Sequence, residues 1–405
     1  MPSVARNAKK TPVVILGLFS ALGPLTIDSY LPALPQLADD LAAPLAAVDG
    51  TLAATMLGFA LGQLAVGPWS DAVGRKVPLV CGLLTLLLSS VGAMLAADIV
   101  ELIALRFAQG LGAASAIVTA LAIARDEHSG GRLARVIGTI ALVSSLAPLI
   151  APVVGSVLLT FLSWRGIFAF SAACATAGLV LASTVRSPSI PFRWRRRTTF
   201  RRFGHLLADA AFAGLLTLAA LRFTALFSFL QWAPFIFQSH FGLSASGFGI
   251  LFAVLTVGMM VGLQISPRLL AHGIPAGRVL WGSCAVLAVS GGTLVAIPAA
   301  ATSPVWVAVA CGLFLLGCGL GLPTIQTLAL EGHPHDAGTA AGLIGASGFG
   351  CAAVMSPLVN LLPAAGLAET LSLGVVIVAA TIGTALVLTI RGSGQRAAHA
   401  RTEDL

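Results

Sequence analysis

The feature that most constrains this chain is its punctuation. Across 405 residues, twelve apolar runs are separated by short polar segments. Each run is about the length that crosses a bilayer, roughly 20 residues. One water-soluble core stops growing well before such a length, and only 9% of the residues are charged while 57% are hydrophobic. The apolar surface must therefore meet lipid. In hydrocarbon every backbone amide has to be bonded internally, so runs of this length form helices. The predicted fold is an all-α membrane protein with 12 transmembrane helices, near 13–32, 48–67, 77–97, 100–123, 134–160, 165–185, 215–238, 244–270, 278–300, 304–329, 338–362 and 368–390.

Lysine and arginine placement sets the orientation. With the N-terminus in the cytoplasm, twenty of the 23 basic residues fall on the cytoplasmic side. Asp39, Asp40, Asp49, Asp98, Glu101 and Glu369 fall on the other. An even number of spans returns the C-terminus to the cytoplasm. The net charge of +8 is then no sign of nucleic acid, because the basic residues punctuate apolar runs and do not cover one face of a domain. The expected setting is the cell (inner) membrane, crossed many times. The opening MPSVARNAKKTPVVILGLF has a basic stretch and an apolar run, but no small-x-small cleavage site precedes a polar region. It reads as the first span, uncleaved.

The longest polar stretch, 186–205, carries seven arginines from Arg186 to Arg202. It separates an N-terminal six-helix bundle (1–185) from a C-terminal one (211–405) through a basic cytoplasmic linker (186–210). The linker reads as plain positive-inside charge, with an anionic-lipid contact as the alternative. A faint repeat joins the halves. Phe107-Ala-Gln-Gly-Leu-Gly opens the fourth span, and Phe314-Leu-Leu-Gly-Cys-Gly lies in the tenth. Each next span carries late prolines, Pro148 and Pro152 or Pro357. Pseudo-symmetric halves around a central cavity are a common design of secondary transporters.

Chemistry is sparse, and it concentrates in the first half. Asp28 lies about 22 Å along a span that enters lipid near Val13, at ~1.5 Å per residue. A carboxylate at such a depth is costly unless it is protonated or faces water, which suits proton coupling. The competing reading is that Asp28 only ends its helix before Pro32. It is the one carboxylate expected clearly inside a span. Arg106 cannot lose its charge, so it either snorkels outward or stands as a fixed cation that favours an ionised Asp28.

The loop Gly67-Pro-Trp-Ser-Asp71-Ala-Val-Gly74-Arg75-Lys76 comes after the second span. Asp71 is expected to cap the next helix and Gly74 to permit a tight turn. With Arg125 and Asp126 these charges form a candidate cytoplasmic latch. Pro148, Pro152 and Gly155 predict a bent, closely packed fifth span. Gln231, Trp232 and Phe235 are candidate cavity residues, with an interfacial aromatic belt as the alternative. Tyr30, Met56, Gln109 and Ala113 complete the expected cavity lining.

Six scattered cysteines read as small buried hydrophobes. His333 and His335 lack further metal ligands nearby, so no metal or cofactor is expected. No phosphate-cradling Gly-Lys-Ser/Thr loop and no nucleophile elbow occurs, which leaves ATP drive and hydrolysis unsupported, and the chain is read as no enzyme.

These residues resemble the major facilitator superfamily, specifically its twelve-helix drug:proton antiporters of the bicyclomycin- and chloramphenicol-resistance (Bcr/CflA-type) branch. Asp28-Ser-Tyr30-Leu-Pro32-Ala-Leu-Pro35 is similar to the signature of that branch in its first helix. Gly67 to Lys76 resembles the superfamily's loop motif, Arg106 to Gly112 the fourth-helix motif whose arginine is implicated in proton transfer, and Pro148 to Gly155 the antiporter motif. Trp164-Arg165 and Phe168 resemble the stretch just beyond the antiporter motif in that family. Three features depart from the pattern. Ala72 stands where an arginine is usual, Ala151 and Ser156 where glycines are common, and Leu313 where the second half would repeat Arg106. The resemblance implies proton-driven export of chloramphenicol-type or multidrug substrates by a monomer. A metabolite exporter or proton symporter on the same scaffold is the alternative. Its expected partners are a small-molecule drug substrate, protons and the lipid bilayer.

Overall fold

A computed structural model of the chain describes residues 11–128, 130–185, 204–296, 303–332, 337–359 and 368–403. Every regular element among them is helical. The first half opens with α1 (Val13–Asp28), which passes through a 3-10 turn (Leu31–Ala33) into the short α2 (Leu34–Asp40). Then come α3 (Leu45–Val73), α4 (Lys76–Leu95), α5 (Ile99–Glu127), α6 (Gly130–Phe161) and α7 (Arg165–Thr184). The second half holds α8 (Ala210–Pro234), which widens into a π-turn (Phe235–His240), then α9 (Ala245–Ala271), α10 (Ala276–Ala296), α11 (Pro304–Gly332), α12 (Ala337–Val359) and α13 (Ala368–Glu403). Among the described residues, eleven helical stretches are long and apolar enough to cross a membrane, and α12 adds the shorter apolar stretch Thr339–Met355. The arginine-rich stretch 186–203 and His333 and His335 lie outside the described residues.

Helix ends follow local chemistry. At the start of α5, Asp98 Oδ1 accepts from the Glu101 amide at 2.8 Å while Glu101 Oε2 accepts from the Ala97 amide at 3.1 Å. Two donors that the helix cannot satisfy are thereby bonded. Ser244 Oγ does the same for the Gly247 amide at 3.1 Å. The α3–α4 corner corrects the sequence expectation. Helix α3 runs on to Val73, so most of the supposed loop 67–76 is helical and Asp71 sits inside α3. The cap position of α4 is Arg75, without a side-chain cap. Helical hydrogen bonding continues past the point where hydropathy falls. What stops it is Gly74, whose φ of 91° is open to glycine but strained for other residues.

Close backbone approach assembles the helices. A Cβ on Gly110 of α5 would collide with the Thr55 carbonyl of α3, and one on Gly58 with the Phe107 carbonyl. The second half repeats the device between α9 and α11. There Gly262 and Gly319 have no room for a Cβ against the Leu316 and Met259 carbonyls. Small residues at such crossings replace the hydrophobic drive that lipid cannot supply. Between the halves, α6 packs on α9 and α3 on α12, and the 3-10 turn reaches α8 and α9.

The Gly110→Ala variant is expected to lose about 1–3 kcal/mol, the usual cost of overpacking. Its thermal midpoint in detergent should fall, whereas Gly138→Ala, where a Cβ meets nothing within 4 Å, should leave the midpoint no lower. Equal midpoints for the two variants would contradict the role given to this crossing.

Candidate functional site

Asp28 is the last residue of α1 and only 6% exposed. Its carboxylate makes no hydrogen bond or ion pair among the described residues. The next turn is held by Ser29 Oγ donating to the Leu25 carbonyl at 2.6 Å. It is also pressed by α6, because a Cβ on Gly155 would overlap the Ser29 carbonyl oxygen. The helix carrying Pro148 and Pro152 thus touches the residue next to Asp28. Despite its two prolines, α6 remains one helix from Gly130 to Phe161.

Arg106 does not snorkel to the surface; it is 1% exposed. Its Nη1 donates to the Thr26 carbonyl at 3.2 Å and to Gln109 Oε1 at 2.8 Å. The guanidinium lies 4.4 Å above the Tyr30 ring and 5.9 Å from that of Phe168. Its Nε and Nη2 have no hydrogen-bond partner among the described residues. Thr26 precedes Asp28 by two positions on α1, but no ion pair within 4.0 Å joins Arg106 to the acid among the described residues. Gln109 is spent inside the bundle, its Nε2 donating to Ser90 Oγ at 2.8 Å. Asp98 and Glu101 serve the α5 cap and not Arg106.

Tyr30 is fully buried. Its hydroxyl lies 3.1 Å from Thr51 Oγ1 of α3, and its ring packs 5.5 Å from Phe168. Trp164 stands edge-on to Phe168 and donates Nε1 to Asp40 Oδ2 at 3.0 Å. An aromatic wall therefore closes this end of the site. Sequence reasoning missed the burial of Asp49, which it counted as an outer-side acid although its span 48–67 begins one residue earlier. Asp49 lies in the second turn of α3 and is 1% exposed, so Asp28 is not the only buried carboxylate. The signal was present: Asp49, Leu52 and Met56 follow the three-and-four spacing of one helix face, and all three are buried.

The remaining expected residues are also interior. Met56 and Ala113 are buried in the first half. Gln231, Trp232 and Phe235 are buried around the α8 terminus, not arranged as a surface belt. A second buried cation, Arg222 of α8, is 1% exposed. It donates to Ser283 Oγ at 2.6 Å, to the Gly317 carbonyl at 3.3 Å and to Cys284 Sγ at 3.4 Å. No acid within 4.0 Å pairs with it among the described residues. An arginine inside the apolar run 215–238 was its only signal.

At the opposite end, Arg75 gathers the latch candidates. It pairs with Asp71, with Asp126 (Nε to Oδ2 2.7 Å, Nη2 to Oδ1 3.3 Å) and with Ser70 Oγ at 2.8 Å. Lys76 Nζ reaches the Ser183 carbonyl at 3.4 Å. Arg125 is exposed and joins no ion pair among the described residues. Gly67 is unobstructed. Nearby, Glu127 accepts from the Thr11 amide at 2.8 Å and hydroxyl at 2.6 Å, tying the start of α1 to the end of α5. Among the described residues no three His, Cys, Asp or Glu side chains gather to hold a metal.

A helical membrane fold with buried charges between glycine-packed helices suits a transporter, and the family comparison decides it. The model described as "Major Facilitator Superfamily" matches residues 15–357. The chain belongs to the major facilitator superfamily. Among its superfamily relatives, a bicyclomycin resistance protein homolog of Haemophilus influenzae is 30% identical over 86% of this chain and 88% of its own. A chloramphenicol resistance protein of Pseudomonas aeruginosa is 29% identical over 81% of this chain and 78% of its own. The crystal structure of a D-xylose-proton symporter superposes with a TM-score of 0.74, covering 92% of this chain and 96% of that one. At 14% identity that likeness speaks for the fold alone. The chain is a multi-pass membrane transporter.

Gly155→Ala places a methyl where the Ser29 carbonyl now sits. The Asp28 turn must shift or α6 must retreat, so transport should fall at least tenfold at equal protein level in the membrane. Wild-type transport by that variant would show that the α6 contact is dispensable.

Proposed function

We propose that this chain exports drug-like small molecules, of the kind named by its resistance-protein relatives, in exchange for protons. Its scaffold is twelve spans in two six-helix bundles, 1–185 and 211–405, joined by the basic linker 186–210. Both termini lie in the cytoplasm and the protein works as a monomer in the cell (inner) membrane. The orientation rests on twenty of the 23 basic residues falling on one side.

The observation that carries the proposal is a buried acid at the end of α1 together with a buried permanent cation of α5 that bonds the Thr26 carbonyl of α1. An intramembrane carboxylate is functional by default. Asp28 has no hydrogen-bond donor of its own among the described residues, while Arg106 spends only one nitrogen. With the cavity open outward, Asp28 takes a proton and the cargo departs. The protonated carrier turns inward, where cargo displaces the proton. A potential of 100 mV contributes about 2.3 kcal/mol per charge moved, enough for roughly fifty-fold accumulation.

Alternating access is supported by the contacts between halves. Gln238 Nε2 donates to the Pro32 carbonyl at 3.1 Å, and a Cβ on Gly249 would collide with Ser156 Oγ. Both contacts lie at the end bearing the 3-10 turn. The Arg75 network lies at the other end and ties α3 to α5 within the first half. In this reading it latches the cytoplasmic ends of the first bundle.

Inside-out vesicles test the reading with chloramphenicol and ethidium as probes. Wild-type protein should accumulate at least one probe uphill, and a protonophore should abolish this. Asp28→Asn should reach the membrane in normal amount yet lose uphill movement. If Asp28→Asn pumps at the wild-type rate, the coupling role is wrong. Arg106→Lys should lose at least tenfold in rate, because an ammonium cannot bridge Thr26 and Gln109 while covering the Tyr30 ring. An unimpaired Lys variant would reduce Arg106 to a simple charge.

A further inference from the structure

We infer that the cleft between the halves holds a seat for one uncharged aromatic ring, built by Phe59, Phe223, Phe227 and Phe349, with the Gln63 amide as its hydrogen-bonding partner. The cargo so seated is that of the export reading above, on which its role in transport rests; the seat itself is read from the packing.

Four rings from three helices meet around Phe349 of α12. Its ring stacks on Phe59 of α3, with centroids 4.8 Å apart and planes 29° from parallel. Phe223 and Phe227 of α8 lie 5.2 and 5.3 Å from it. The first half thus supplies one ring and the second half three. In alternating access the halves move against each other, so the motion alters the Phe59–Phe349 stack and bares ring faces. A planar ring restores such stacking, offset or edge-on.

Two of the four rings already keep an open face. Phe59 and Phe227 are buried, whereas Phe223 and Phe349 are half-buried. The open face of Phe349 is not turned to lipid. Val354 and Met355 mark the lipid side of α12, and Phe349 lies roughly 120–140° around the helix from both, at 3.6 residues per turn. Exposure along the central helices also ends halfway. On α1, Val14 and Leu18 are exposed but residues 19–34 are all buried or half-buried, as are residues 218–237 of α8 and its π-turn. Helix α4, by contrast, is exposed at intervals from Val77 to Leu95, as a lipid-facing helix is. The taper marks a cleft that opens at the Arg75 end and closes toward the 3-10 turn.

Gln63 adds the polar partner. It is the one amide in the apolar run 48–67. It lies well inside α3, on the side away from exposed Leu57 and Leu61. It is half-buried, and its amide makes no hydrogen bond among the described residues. It reaches the second half, because a Cβ on Gly345 of α12 would collide with Gln63 Oε1. Gly345 is about one turn from Phe349, so the amide stands beside the rings. An amide both donates and accepts, and one left unbonded in an apolar setting is costly until water or a cargo hydroxyl or carbonyl completes it. None of the five side chains is charged, and among the described residues no arginine or lysine covers any of the four rings. A charged cargo would leave water there without a compensating ion, so the occupant is neutral.

Equilibrium dialysis of labelled chloramphenicol, an uncharged aromatic, against purified protein in lipid nanodiscs tests the seat, with empty nanodiscs as the blank. The wild type should bind. Phe349→Leu keeps the bulk but loses the ring, and should weaken binding about tenfold. Phe349→Tyr should restore most of that loss, which separates lost recognition from a damaged fold. Gln63→Leu should also weaken binding about tenfold, as an unmade hydrogen bond does. Full affinity in either Leu variant, or no binding by the wild type, would overturn the inference. Uphill ethidium movement in vesicles, with and without a protonophore, reports separately on the export reading. Indifference to the protonophore there sinks that reading while the dialysis result stands or falls by itself.

Discussion

A guanidinium keeps its charge at any pH a cell meets, and this one sits where water does not reach. Much of the first half is built around that constraint. The Thr26 carbonyl of α1, the Gln109 amide of α5 and the Tyr30 face each take part of the charge. Gln109 is oriented in turn by Ser90 of α4. Three helices are thus fixed relative to one another by the need to solvate a single side chain.

The same site is tied mechanically to the rest of the molecule. Gly155 of α6 lies against Ser29, directly after Asp28, and one residue later Ser156 of α6 meets Gly249 of α9. One helix therefore touches both the acid's turn and the opposite half. The close α3–α5 contact through Gly58 and Gly110 holds α3 in register with the helix that carries Arg106. Packing this tight moves in discrete steps, not gradually, which is what a carrier with two faces requires.

The halves use the same packing device but different electrostatics. Arg222 in the second half is satisfied by a hydroxyl, a carbonyl and a thiol, with no carboxylate in ion-pair range among the described residues. The two buried arginines differ in the residues that surround each, not in the helical architecture.

The sequence by itself determined the helical class, the membrane setting and the landmarks Asp28, Arg106 and the glycine pairs. Lipid makes those demands locally: an apolar run, a costly charge and a missing side chain are each visible residue by residue. It did not reveal that α3 continues through Asp71 to Val73, because hydropathy fades at a membrane edge while helical hydrogen bonding does not. It also left Asp49 among the outer-side acids and Arg222 as a stray cation. Whether a charge is buried depends on what neighbouring helices place beside it, and distances between α1, α3, α5 and α6 are not written along any one of them. Tertiary structure alone decided that Tyr30 carries Arg106 on its ring, that Gln109 is spent on Ser90, and that Gly155 bears on the turn after Asp28.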